Sequence, residues 1–276
     1  MKFGIYTNLN RDIDCKVCKQ FTDTLDKKGA SYFVCDNAKE YYPNNFYTMS
    51  KVVRECDILV AFGGDGTMLS VMSKCATHNK PILGINMGKI GFLTELDKTQ
   101  IDSAVDRLLA GDFDIEDRLM LKVSVAGKVF YSLNEVLLSS IDNCHIVTVA
   151  IDIDDTYTDK IRGDGVLVST PTGSTAYSLS CAGPILSPDV DALLINMVCP
   201  HTLHSCPMVV NGNSKISLST TNSSGMKLVV DGKIVAKFHS NTTVNVEKNG
   251  FSAKFIRLNN INFYQKLLHK LSNWGD

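Results

Sequence analysis

The stretch Asp57-Ile-Leu-Val-Ala-Phe-Gly-Gly-Asp-Gly-Thr67 has the residue types and order that phosphate chemistry needs. Its apolar run, Ile58 to Phe62, reads as a buried parallel strand, and Met68-Leu-Ser-Val-Met72 resumes with helical spacing. Between them, Gly63, Gly64, Asp65, Gly66 and Thr67 make a glycine-rich turn. Such a turn brings backbone N–H groups close to an anion, at a helix start that favours negative charge. A carboxylate inside that loop would repel a phosphate at contact distance. Asp65 therefore reads as a magnesium holder, or as the acceptor of a proton from a hydroxyl attacking a phosphoryl group. The alternative is a tight strand-to-helix turn with Asp65 as helix N-cap. Spacing excludes two better-known motifs. Gly84-Ile-Asn-Met-Gly88-Lys89-Ile90 is one residue short of a P-loop and lacks its hydroxyl. Gly64-Asp-Gly66-Thr-Met-Leu69 lacks the third glycine of the dinucleotide fingerprint.

A second polar constellation lies further on, in Gly163-Asp164-Gly165-Val-Leu-Val-Ser-Thr-Pro-Thr-Gly-Ser-Thr-Ala-Tyr177-Ser178. A turn acid, a strand and a small-residue turn open a helix there, with Pro171 and Gly173 fixing the turn. Hydroxyls and free N–H groups from Thr172 to Ser178 form a hydrogen-bonding lip, suited to a ligand or equally to capping a helix. Two cysteine clusters offer metal ligands. Cys15-Lys-Val-Cys18 has no second pair and sits in a polar helical stretch, so it is not read as a zinc or redox motif. Cys199-Pro-His201-Thr-Leu-His204-Ser-Cys206 is held rigid by Pro200 and Pro207, which makes tetrahedral wrapping hard; no structural metal is expected.

The elements that would position these residues change character along the chain. Strands at Lys2–Thr7, Ser31–Cys35, Ile58–Phe62 and Pro81–Asn86 alternate with helices near 12–28, 67–77 and 101–110, the last stopping at Gly111. This is the pattern of a parallel sheet covered by helices, whose ligands sit beyond the strands' carboxyl ends. From Phe113 to Leu258, short β-rich runs are joined by turns such as Ala126-Gly127, Asp154-Asp155, Ser224-Gly225, Asp231-Gly232 and Asn249-Gly250. They predict a mostly antiparallel all-β domain. The expected organisation is therefore 1–112 α/β, 113–258 β-rich, and 259–276 a C-terminal helix returning to the first domain. That helix shows apolar residues at Phe263, Leu267, Leu268 and Leu271. With 28 basic and 29 acidic residues among 276, no charge footprint suggests nucleic acid. No apolar run approaches the roughly 18 residues of a membrane span, and Met1 to Tyr6 reads directly as a strand rather than a signal peptide. Nine scattered cysteines fit reduced, buried thiols in a cytoplasmic protein.

Taken together, the motifs resemble the NAD kinase family. The resemblance rests on Gly63-Gly-Asp-Gly-Thr67, Gly84-Ile-Asn-Met-Gly-Lys-Ile-Gly-Phe-Leu-Thr-Glu95, Asn134-Glu135, Arg162-Gly-Asp-Gly165, Thr170-Pro-Thr-Gly-Ser-Thr-Ala-Tyr-Ser178 and Pro200-His-Thr-Leu203. It implies phosphoryl transfer from ATP, with a divalent metal such as Mg²⁺, to the 2′-hydroxyl of the adenosine ribose of NAD. By that resemblance Asp65 is the proton acceptor and, with Gly66, lies in the NAD pocket. Asn134 and Glu135 bind the adenosine portion, Arg162 and Asp164 share the pocket, and His145 is a further ligand contact. Thr175, Ala176, Tyr177, Ser178, Leu179 and Ser180 wrap the dinucleotide. A homo-oligomer, dimer or tetramer, is implied as well. The chain departs from many bacterial members at Lys233, where they carry glutamine, and at Cys206, where an arginine is common. The glycine loop is shared with diacylglycerol and sphingosine kinases, so a lipid kinase is the nearest alternative, and a non-catalytic dinucleotide sensor the next.

Overall fold

The computed structural model describes residues 1–88, 91–142, 145–202, 206–220, 225–238, 242–259 and 262–272. Two compact units result, Met1–Asp117 with Ala253–Asp276, and Arg118–Ser252. The first begins with β1 (Lys2–Thr7), α1 (Lys16–Lys27), β2 (Ser31–Cys35), β3 (Phe46–Tyr47), α2 (Met49–Glu55) and β4 (Ile58–Gly63). It continues with α3 (Asp65–Thr77), β5 (Ile82–Asn86), β6 (Leu96–Asp97), α4 (Ile101–Ala110) and β7 (Asp114–Arg118). The second unit holds β8 (Leu121–Val125), β9 (Lys128–Ser132), β10 (Glu135–Ser140), β11 (Val147–Ile153), β12 (Thr156–Gly163), β13 (Gly165–Ser169) and the single-turn α5 (Tyr177–Ser180). Then follow β14 (Ala192–Val198), β15 (Met208–Asn211), β16 (Ile216–Thr220), β17 (Met226–Val230), β18 (Lys233–Phe238) and β19 (Thr242–Lys248). The chain returns to the first unit with β20 (Ala253–Arg257) and α6 (Phe263–Ser272).

In the first unit the sheet order is β3-β2-β1-β4-β5-β20-β7, with β6 beside β5. The pairs from β3 across to β20 are parallel. Every residue of β4 is buried, as a strand covered on both faces requires. On α1, Cys18, Phe21, Thr22 and Leu25 repeat at helical spacing and face this sheet's core. Phe21 meets Phe3 and Phe62 edge-on, at 6.1 and 5.5 Å between centroids. Gly111, at φ 74°, ends α4 in the left-handed conformation that a side chain resists. Because β1 and β4 are neighbours whose following segments diverge, their carboxyl ends flank the crevice where such sheets bind ligands.

The second unit is a pair of six-stranded sheets, β15-β14-β13-β10-β17-β18 and β12-β11-β16-β19-β8-β9, with antiparallel pairing throughout. Alternating burial along β8, β16 and β17 turns one face of each sheet inward. Val123, Val136, Leu138, Val149, Leu218 and Leu228 meet in one apolar core.

Three expectations are corrected. Strand β20 belongs to the parallel sheet and not to the β-rich run, because Phe255 pairs with Ile82 and its apolar residues are needed to extend that core. Cys15 and Cys18 are fully buried, as expected of the thiols, although the helical stretch around them is polar in sequence. Cys199 and Cys206 are exposed rather than core thiols. On α6 Leu268 is 69 % exposed while Lys266 is buried, its ammonium held by the Thr94 carbonyl at 3.2 Å and the Glu95 carboxylate at 3.4 Å. Burial pushes the Lys266 pKa down against that partner. His204, Leu203, Ser224, Lys89, Ile90 and Trp274, all part of motifs or elements read from sequence, lie outside the described residues. Among the described residues no helix is long and apolar enough to cross a membrane.

Candidate active site

The glycine loop turns as its composition demands. Gly64 is the N-cap of α3 and makes no side-chain cap, so Asp65 is the first helical residue and the N-cap reading of Asp65 fails. A Cβ on Gly63 would collide with the Thr67 side chain, which explains the glycine there. At Gly64 and Gly66 a Cβ would meet nothing, because both face open space. That space is a cavity of about 440 Å³, lined by Asn8 and Arg11 after β1, by Gly63 to Thr67, and by Asn86, Met87 and Gly88 at and beyond the end of β5. The Asn8 amide donates to Thr67 Oγ1 at 3.0 Å and ties the first loop to the second. Arg11 is the one cation among the described lining residues, and Asp65 the one carboxylate.

Asp65 is oriented by groups far along the chain. Its Oδ2 accepts from the Phe92 N–H and its Oδ1 from the Leu93 N–H, both at 3.0 Å. Lys270 Nζ, from α6, lies 3.3 Å from Oδ2 and 4.4 Å over the Phe92 ring. Gly91 is required by contact, since a Cβ there would strike the Asp65 carboxylate. Oδ2, which meets both the Phe92 N–H and Lys270, has its lone pairs engaged, whereas Oδ1 keeps one, so the group can still accept a proton. Gly91, Phe92, Leu93 and Lys270 were not singled out as site residues from sequence. The first three sit inside the quoted Gly84–Glu95 motif; Lys270, over 200 positions from Asp65, left no local signal.

In the second unit Asn134 and Glu135 precede and open β10, each 9 % exposed. Their backbone is gathered by Asp231, which stands at φ 44° in the turn between β17 and β18. Its carboxylate accepts from the Ser132 hydroxyl (2.6 Å) and from the N–H groups of Leu133 (2.9 Å), Asn134 (2.8 Å) and Glu135 (3.2 Å). The Thr170-Pro-Thr-Gly-Ser turn locks onto the same segment. Thr170 Oγ1 donates to the Leu133 carbonyl at 2.6 Å and Ser169 Oγ to the Asn134 carbonyl at 3.1 Å. Gly173 packs so tightly on that Asn134 carbonyl that no Cβ would fit.

Glu135 is the chemically unusual member. Burial, and then the neighbouring Asp231 charge, push its pKa up to about 7, opposed by a hydrogen bond from the Tyr177 N–H. Among the described residues its buried Oε2 has no hydrogen-bond partner. Native proteins rarely leave such an atom unsatisfied, and a ligand hydroxyl is a suitable donor. Thr175 and Ala176 are half-buried, and Tyr177 is 41 % exposed at the start of α5. Ser178 is fully buried, with its hydroxyl donating to Asn196 at 3.1 Å, so it braces the turn. Leu179 is half-buried and Ser180 exposed.

The remaining predicted residues are less gathered. Arg162 and Asp164 are exposed on either side of Gly163, where the carbonyls of Val198 and Cys199 leave no room for a side chain. The Asp164 carboxylate and the Cys199 thiol are hydrogen-bonded, which pushes the thiol pKa up. His145 is exposed, 3.7 Å from Asp142, and no described hydrogen bond joins it to Asn134 or Glu135.

An α/β unit with a glycine-rich loop beside a held carboxylate, and an all-β unit with a buried carboxylate oxygen that has no partner among the described residues, fit a phosphotransferase class. The profile of the ATP-NAD kinase N-terminal domain matches residues 3–113, and that of the ATP-NAD kinase C-terminal domain matches residues 133–258. The chain belongs to the NAD kinase family. It is 33 % identical to an NAD kinase of Acetivibrio thermocellus, covering 100 % of this chain and 99 % of the relative. It is 40 % identical to an NAD kinase of Carboxydothermus hydrogenoformans over 78 % of this chain and 79 % of the relative. The fold is that of yeast NADH kinase solved with NADH, at a TM-score of 0.92 and 23 % identity over 100 % of this chain and 89 % of that one. An NAD kinase from Archaeoglobus fulgidus solved with ATP superposes at 0.79, with 24 % identity over 99 % of each chain.

Proposed function

We propose that this chain transfers the γ-phosphoryl group of ATP to the 2′-hydroxyl of the adenosine ribose of NAD, giving NADP and ADP. The observation that carries the chemistry is Asp65, a carboxylate fixed by two backbone N–H groups on the rim of a glycine-lined cavity. A ribose hydroxyl is a weak nucleophile at neutral pH. Asp65 accepts its proton as the oxygen attacks the γ-phosphorus, and the bond to the ADP oxygen breaks. Arg11, together with the N–H groups at the start of α3, offers positive potential to the donor phosphates. Lys270 compensates the Asp65 charge and keeps the carboxylate in one orientation.

Recognition of NAD is assigned to the second unit. Asn134 and Glu135 bind the adenosine portion, with the unpartnered Glu135 Oε2 accepting from a hydroxyl. Thr175 to Ser180 wrap the dinucleotide, Tyr177 offering its ring for stacking; Gly66, Arg162, Asp164 and His145 complete the contacts. A single carboxylate among the described lining residues is too few for a protein-built magnesium site, so Mg²⁺ arrives as part of the Mg-ATP substrate. A cytoplasmic homo-oligomer, dimer or tetramer, completes the reading.

Purified protein incubated with Mg-ATP and NAD should yield NADP, read with an NADP-specific dehydrogenase. Phosphorylation of diacylglycerol or sphingosine instead would favour a lipid kinase. NAD binding without any turnover would favour a sensor.

A further inference from the structure

The turn that enters α1 gathers three side chains with metal-ligand chemistry. Asp12, Cys15 and Cys18 are 1 %, 0 % and 0 % exposed, and their ligand atoms all lie within 4.8 Å of one another. Two observations separate this cluster from ordinary core thiols. The first is charge. Asp12 is a buried carboxylate that accepts from the Thr7 hydroxyl (3.1 Å) and the N–H groups of Val17 (2.9 Å) and Cys18 (3.0 Å). Among the described residues no ion pair joins it to a lysine, arginine or histidine, so its charge is met by these three donors, two of them at the N-terminus of α1. The second is backbone. Asp14 and Cys15 both stand in the left-handed region, at φ 57° and 58°, which side chains resist. That turn puts Cys15 inside while leaving Ile13 68 % exposed. Burial alone would favour the reverse, since isoleucine gains more from leaving water than cysteine does.

We propose that Asp12, Cys15 and Cys18 form a three-ligand site for a thiophilic divalent cation of the zinc class. Two thiolates and a carboxylate suit such an ion, with bonds of about 2.3 Å to sulfur and about 2.0–2.2 Å to oxygen. On binding, each thiol releases its proton to solvent, and the cation offsets two of the three negative charges. The Tyr42 hydroxyl, 3.4 Å from Cys18 Sγ, is placed to donate to that thiolate. The site also bears on the candidate donor cavity. The N–H groups of Arg11 and Asp12 both donate to the Asn8 carbonyl at 2.8 Å, and Asn8 and Arg11 line that cavity. A cation on Asp12 therefore fixes the turn that presents them.

The test is anaerobic titration of metal-free full-length protein, its thiols shown to be reduced, with Co²⁺ alone. One equivalent per chain should bring up a sulfur-to-cobalt charge-transfer band, which added Zn²⁺ abolishes. Cys15→Ser and Cys18→Ser should each lose the band, and Asp12→Asn should bind at least tenfold more weakly, about the size of effect expected for a ligand-shell change. X-ray absorption on the zinc-loaded wild type should count two sulfur ligands, a readout independent of how the variants fold. No band in reduced wild-type protein overturns the proposal. So does a band that survives in the Cys15→Ser, Cys18→Ser double variant, or a sulfur count other than two.

Discussion

In the first unit the candidate site is made mainly by backbone: glycines at 64 and 66 open a cavity, and a helix start faces it. In the second unit it is made by buried side chains, with Asp231 gathering four donors around Asn134 and Glu135. Both units use a carboxylate at the critical point, yet the environments differ. Asp65 meets two N–H groups and a lysine ammonium. Glu135 meets another carboxylate and is left with an orphaned oxygen. On the proposed function, the contrast assigns one acid to a proton during reaction and the other to recognition of a hydroxyl through its unmet hydrogen bond.

The sharpest way to break this contrast is Asp65→Asn. The amide keeps the shape and loses the proton acceptor, so kcat should fall by about 10²–10⁴ in a steady-state assay. Near-normal kcat would remove Asp65 from the chemistry. Asp231→Ala should act next most strongly, and on folding. Three N–H groups and a hydroxyl lose their acceptor, for a destabilisation of about 2–4 kcal/mol in urea unfolding. An unchanged midpoint would mean that water replaces the carboxylate without loss.

Glu135→Gln sharpens the comparison through pH. The Glu135 pKa rises on folding from 4.5 to about 7, so the stability tied to its protonated form is fully present below about 4.5 and is lost as pH rises through about 7. Wild-type protein should lose roughly 2–3 kcal/mol relative to the glutamine variant between pH 5 and pH 8, the order set by the shift. Parallel stability–pH curves for the two proteins would refute this. The smallest effect is expected from Tyr177→Ala. Its half-exposed ring should contribute stacking of about 1 kcal/mol, raising the NAD KM several-fold while Tm falls only modestly. A large drop in Tm with unchanged KM would make Tyr177 a structural residue.

The glycine loop was legible because its signal is local: strand, turn and helix follow one another within eleven residues, with Gly63 required by the Thr67 side chain and Gly64 and Gly66 facing the open cavity. The alternating and antiparallel patterns gave fold class for the same reason. Asp231 was visible only as a turn residue, since its partners lie 96 to 99 positions away. Lys266 and Lys270 were hidden by periodicity, which directed attention to Leu267, Leu268 and Leu271 on the same helix. The Glu95 and Asp65 carboxylates that hold those lysines come from distant segments, the residue before β6 and the start of α3. Strand β20 was misplaced because a short apolar run reads alike in either kind of sheet.

Division of labour between the two carboxylates is tested most directly by NAD titration calorimetry on Asp65→Asn and Glu135→Ala side by side. The account predicts that Asp65→Asn keeps NAD affinity within about twofold of wild type despite its lost turnover. Glu135→Ala should weaken affinity by about 1–3 kcal/mol, the loss expected of a buried hydrogen-bonding partner. Unchanged affinity in Glu135→Ala, or a larger loss in Asp65→Asn than in Glu135→Ala, would contradict it.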